Sequence, residues 1–315
     1  MSAATYVNPV HDGYFADPFV MEIEGAFWAY GTGLHHGERV FEVMHSEDLV
    51  HWTSLGGALV PLPDDEGFEY WAPEVAEHEG TYYMYYSAGA GDDHRLRLAT
   101  ADRPDGPFHD AGIVLTGDDP FSIDAHPFRD DDGTWYLYYA RDFLEGERIG
   151  TALVVDRLVD MTELAGDRHT VLRATAEWQL FRRRRRMYGG VHDWYTVEGP
   201  FLRKHDGRYY CFYSGGSWQE PTYGVSYAVA DAPLGPFTDA GTGPEILTSI
   251  PGEVIGPGHN SIVAGPDGND YIIYHAWDST KSLRRMFVDR LDWTPEGPRC
   301  DGPSTTPRPV PQRTS

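Results

Sequence analysis

Five stretches between Asp17 and Tyr274 share one layout of apolar and polar positions: an apolar run, a polar turn closing on glycine, then an aromatic-rich run. They are DPFVMEIEGAFWAYG from Asp17, APEVAEHEGTYYMYY from Ala72, HPFRDDDGTWYLYY from His126, GPFLRKHDGRYYCFY from Gly199 and NSIVAGPDGNDYIIY from Asn260. Four carry proline at the same early position (Pro18, Pro73, Pro127, Pro200), and the fifth has Ser261 there. Counting from the turn glycine, the third residue is always aromatic: Trp28, Tyr83, Tyr136, Tyr210, Tyr271. The fifth is Tyr30, Tyr85, Tyr138, Phe212 or Ile273. A spacing of two keeps such side chains on one face of a strand, so each copy predicts a β-hairpin.

A longer echo enlarges the unit. ATADRPDGPFHDAG from Ala99 matches AVADAPLGPFTDAG from Ala228 at ten of fourteen positions, and SEDLVHWTSLGGAL from Ser46 stands in the same place after the first hairpin. Each unit therefore predicts about four strands, and 315 residues over five units leaves about 63 each, with little left for a second domain. Radial repetition of four-stranded sheets predicts an all-β, five-bladed β-propeller over residues 1–302. The Pro-, Ser- and Thr-rich tail, 303–315, is expected to lie along the surface or be disordered.

In a propeller the innermost strands line a shared channel, so residues at their mouths meet there. These residues are Asp17, Trp71, Asp124, Glu198 and His259. An unpaired acid leading into a core is costly. Glu198 makes sense there if burial and two neighbouring acids raise its pKa, so that it keeps a proton near neutral pH. One protonated and one ionised carboxyl across a cleft are the apparatus of glycosidic bond cleavage.

The motifs ADPF at Ala16, WAPEV at Trp71, SIDAHPFRDDDG at Ser122, VEGPFL at Val197 and GHNSIV at Gly258 resemble family 43 of the glycoside hydrolases, in order and over almost the whole chain. The resemblance implies a five-bladed propeller hydrolysing furanosides or xylosides with inversion. It assigns Asp17 as general base, Glu198 as general acid and Asp124 as the acid that orients and tunes Glu198. It also implies that His259 helps hold a hydrated metal, usually Ca2+, in the channel.

Trp71 is expected to stack on a sugar face. The segment FRRRRRMYGGVHDWYT (Phe181–Thr196) has no counterpart in the other repeats. Its arginines are expected to be mostly solvated, while Tyr188, His192 and Trp194 could rim the leaving-group side. Arg284 and Arg285 are basic candidates for sugar hydroxyls or a neighbouring carboxylate, with Arg285 assigned to the sugar.

Composition narrows the partners. The formal net charge is −24, and Lys204 and Lys281 are the only lysines. Such a surface repels nucleic acid and anionic membrane, and no apolar run is long enough to span a bilayer. Cys211 and Cys300 form no spaced pattern, and Cys211 reads as a buried free thiol. No signal-peptide pattern opens the chain, so with Met1 as the start a cytoplasmic location is expected. That location argues for small neutral oligosaccharides as substrate, and the expectation is exo-acting release of α-L-arabinofuranose. β-D-Xylosidase and β-D-galactofuranosidase are the enzyme alternatives. A non-catalytic sugar-binding propeller would have lost one of the three acids, and a glycoside phosphorylase would need a basic phosphate pocket. Oligomeric state is left open.

Overall fold

A computed structural model describes residues 4–33, 35–63 and 67–313. The described residues are all-β: strands joined by turns, with a single 3-10 turn at Glu177–Gln179 and no α-helix. Each predicted hairpin is present. The first strands of the five units are Ala16–Ile23, Glu69–His78, Ser122–Arg129, Gly190–His205 and Ile255–Ala264. Each pairs antiparallel with the aromatic-rich strand that follows it, and third and fourth strands complete the unit outward. Units three and four are joined edge to edge where Ile149, Gly150 and Thr151 pair in parallel with Trp194, Tyr195 and Thr196.

The register explains the aromatic pattern. Tyr30, Tyr85 and Tyr138 are buried, and each sends its hydroxyl into the following unit, to the carbonyls of Pro104, Met161 and Pro233. Pro104 and Pro233 belong to the two echoed segments, so that repeat is the corner that accepts the preceding unit's tyrosine. A buried tyrosine needs such a partner, because an unpaired hydroxyl forfeits about 1–3 kcal/mol.

A second device runs around the inner strands. Each has a register shift, and the residue at the bulge is left-handed: Asp17 (φ 51°), Ala72 (44°), Asp124 (60°), Gly199 (57°) and His259 (48°). Every one of these bulge N–H groups is bonded by a side chain of the preceding unit. Thr32 Oγ1 accepts from Ala72 at 2.8 Å, Ser87 Oγ from Asp124 at 3.0 Å and Ser214 Oγ from His259 at 2.7 Å. His275 Nδ1, in the last unit, accepts from Asp17 in the first at 3.1 Å. Unit three has Ala140 at the position of these acceptors, and the Asp124 carboxylate substitutes, taking the Gly199 N–H at 3.0 Å.

The described part of the tail, residues 303–313, is tethered to the rest of the chain. Arg308–Pro309 pairs with Thr5–Tyr6, Val310 is buried, and Ser304 accepts from Asn8 and donates its N–H to Asp289. Cys211 is free and fully buried, and Cys300 is free and half-buried.

Candidate active site

The five bulges open onto one cavity of about 310 Å³, lined by Asp17, Trp71, Asp124, Glu198 and His259 together with Tyr14, Thr32, Glu69, Trp218, Tyr223 and Arg284. The five residues anticipated from the strand mouths therefore meet. They are not equivalent in register, however. Asp17, Asp124 and His259 occupy the left-handed bulge itself, whereas Trp71 and Glu198 lie one residue earlier, with Ala72 and Gly199 in the bulge. One residue normally turns a side chain to the opposite face of a strand. The local kink of a bulge re-aims it, so both positions reach the cavity. Left-handed backbone at four non-glycine residues, Asp17, Ala72, Asp124 and His259, is strain held in place by surrounding bonds.

Burial alone would raise Asp17, but positive charge and hydrogen bonds outweigh it, and its carboxyl is held well below the usual range. Arg284 Nη1 lies 3.2 Å from Oδ1, and the Thr32 hydroxyl donates to Oδ2. His259 Nδ1 and His275 Nδ1 stand 3.4 and 3.1 Å from Oδ1. Burial pushes both imidazoles down, His275 to about 4, so at neutral pH neither carries charge and the guanidinium does the work. His275 Nδ1 already accepts the Asp17 N–H, which puts its proton on Nε2. Asp17 is thus an ionised carboxylate.

Glu198 is the opposite case. Burial pushes its carboxyl up to about 7, against the pull of the Tyr223 hydroxyl, which donates to Oε1 at 2.7 Å, and the Asp17 charge adds to the rise. Asp124 is also raised, by burial and then by the charges of Glu198 and Asp17, while the Gly199 N–H at its Oδ2 pulls the other way. Glu198 and Asp124 together retain a proton near neutrality. One cavity thus holds a carboxylate able to take a proton from water and a carboxyl able to donate one.

Sequence reasoning missed Tyr223, Thr32 and His275. A signal existed for the last two, since Thr32, Ser87, Ser214 and His275 all stand seven residues after a turn glycine. Tyr223 carried no such signal. Its place is explained by the GHN motif: a Cβ on Gly258 would meet the Tyr223 ring at 2.0 Å, so only glycine lets that ring sit there.

Two assigned sugar contacts fall elsewhere. Trp194 is fully buried and does not line the cavity; it lies beneath Tyr188 and Arg185, because its strand pairing turns it inward. Of the paired arginines it is Arg284 that reaches the cavity, whereas Arg285 turns toward Asp278, 3.9 Å away, as alternation along a strand requires. Trp71 lines the cavity, and His94 stacks on it at 3.6 Å. The donor set around His259 does not fit a directly liganded metal. Among the described residues no three His, Cys, Asp or Glu side chains are grouped as ligands, and Arg284 already compensates the nearest carboxylate.

Comparison with known proteins gives a consistent picture. The family model described as Glycosyl hydrolases family 43 matches residues 6–298. A β-D-galactofuranosidase from Aspergillus niger is 32% identical over 92% of this chain and 83% of its own length. A xylosidase/arabinosidase from Bacteroides ovatus is 26% identical, covering 90% of this chain and 93% of the relative. The crystal structure of a thermostable family-43 glycoside hydrolase superposes with a TM-score of 0.86 at 32% identity, covering 98% of this chain and all of that one.

Proposed function

The chain belongs to family 43 of the glycosyl hydrolases, and from that premise we infer an exo-acting, inverting glycosidase on small neutral oligosaccharides that releases α-L-arabinofuranose. The five units are read as the blades of a closed propeller. The bond from Asp17 N–H to His275, which ties the first unit to the last, supports that reading.

In the reaction, Asp17 is the general base. Arg284 and Thr32 keep its carboxylate ionised, and it takes a proton from the attacking water. Glu198 is the general acid, giving its proton to the departing glycosidic oxygen. Asp124 holds the Gly199 N–H, fixing the backbone beside Glu198, and as a coupled carboxyl it shares with Glu198 the proton that the pair retains near neutrality. Trp71 and Trp218 offer flat apolar faces to the sugar. The observation that carries the proposal is the opposed shift of two carboxyls in one cavity, Asp17 down and Glu198 up.

A second reading, β-D-galactofuranosidase, is favoured by the Aspergillus niger relative. α-L-Arabinofuranose and β-D-galactofuranose share ring configuration and differ in the exocyclic chain, so one acid–base pair suits both. The deciding experiment compares 4-nitrophenyl α-L-arabinofuranoside, β-D-galactofuranoside and β-D-xyloside, with product anomers followed by NMR. The expected result is the highest kcat/KM on the arabinofuranoside with the β-anomer formed first. A tenfold preference for galactofuranoside moves the assignment to the second reading. A retained anomer removes Asp17 from the role of base.

A further inference from the structure

Beyond Glu198 the cleft continues into a second, smaller compartment that shares Trp71, Ile123, Glu198 and Trp218 with the first. Its far wall comes from the hairpin with no counterpart in the other units, Leu180–Met187 paired with the start of Gly190–His205. Four of that hairpin's five arginines are exposed, as expected, but Arg185 is not. Its guanidinium lies 5.1 Å from the ring centres of both Phe181 and Trp194, and its Nη2 reaches Asp92 Oδ1 in unit two at 3.2 Å. Asp142, 3% exposed, lines the same compartment, with Thr151 Oγ1 donating to Oδ1 and the Tyr188 hydroxyl to Oδ2, each at 2.8 Å.

We propose that this compartment receives the leaving sugar, and that Arg185 and Asp142 set its specificity for a neutral sugar residue with two adjacent free hydroxyls. The proposal rests on Glu198 being the acid. The leaving oxygen must lie against the proton donor, and this compartment is lined by Glu198 but not by Asp17. A fixed guanidinium donates to one hydroxyl while the carboxylate accepts from its neighbour, a pairing that a diol satisfies and a single hydroxyl does not. The choice of a neutral sugar follows from charge. Asp92 offsets Arg185, and the buried Asp142 carboxylate repels an anionic residue. Phe181 and Trp218 bound the compartment with aromatic surface for a ring face. Trp194, which stacks beneath Tyr188 and Arg185, is the platform that holds both in place.

The test compares α-1,5-arabinobiose with 4-nitrophenyl α-L-arabinofuranoside, whose leaving group enters the compartment without a hydroxyl pair. The ratio of their kcat/KM values is read for the native enzyme, Arg185→Met, Asp142→Asn and Tyr188→Phe. The proposal expects the biose-to-nitrophenyl ratio to fall at least tenfold in the first two variants, chiefly through KM on the biose. Tyr188→Phe keeps the carboxylate and removes only a donor behind it, so its ratio stays within twofold. An unchanged ratio in Arg185→Met and Asp142→Asn overturns the leaving-sugar site. A fall in Tyr188→Phe equal to that in Asp142→Asn reduces Asp142 to an anchor for the hairpin and overturns its assigned role. Glu198→Gln, assayed alongside, separates the premises: full activity there refutes the acid assignment itself, whereas an inactive Glu198→Gln with unmoved ratios refutes only the compartment.

Discussion

Glu198 and Asp17 are both buried carboxyls at strand mouths, and their neighbours decide which holds a proton. Arg284 and the Thr32 hydroxyl serve Asp17, whereas Glu198 has one donor, Tyr223, beside two other acids. With Glu198 as the proposed acid, kcat/KM should decline along an alkaline limb as pH rises through about 7. The Tyr223 hydroxyl favours the charged form, so Tyr223→Phe should shift that limb upward by roughly one pH unit; an unmoved limb would show that Tyr223 does not tune the acid. Glu198→Gln should lower activity on oligosaccharides by about 10²–10⁴-fold, with smaller losses on substrates whose leaving groups need no proton. The same variant should be more stable than the native enzyme above neutrality. The folded state keeps the Glu198 proton up to about 7 while the unfolded state releases it near the ordinary glutamate value of 4.5, so native stability drains away across that window. Glutamine escapes that loss, a gain of roughly 1–3 kcal/mol at pH 8, visible as a higher melting temperature.

The inner strands achieve their geometry through a repeated bulge, and each bulge depends on the unit before it. The hairpins, the aromatic spacing and the Gly-Pro-Phe corners were all legible in the chain, because strand periodicity and turn chemistry are local. The bulge was not, because a register shift appears only once two strands are paired. That is why Asp17 and Glu198 read as equivalent positions although they differ by one place. It is also why Arg285 was preferred to Arg284: in neighbouring arginines, the pairing partner alone says which one faces the cavity. Gly258 shows how tight the packing is between strands. Gly258→Ala should overpack the Tyr223 ring at a cost of about 1–3 kcal/mol and lower kcat by tenfold or more by displacing the Glu198 partner. Thermal melts and the pH profile, measured together, separate the two effects.

Around the whole molecule, stability depends on how the ends are fastened. Asn8 binds Val288, Asp289 and Ser304, and Arg308–Pro309 covers Thr5–Tyr6. Removing residues 303–315 should lower the melting temperature by about 5 °C or more, while kcat at low temperature stays near the native value. An unchanged melting point would mean that the tail fastens nothing.

The repeat, the count of units, the five residues that meet and the family all follow from the order of side chains, since hydrophobic phase and turn residues act over a few positions. The protonation of each acid, the exclusion of Trp194 from the cavity, the place of Tyr223 and the compartment formed by Arg185 and Asp142 do not. They depend on contacts between residues tens to hundreds of positions apart, and burial and electrostatic fields arise from neighbours in space, whatever their distance along the chain.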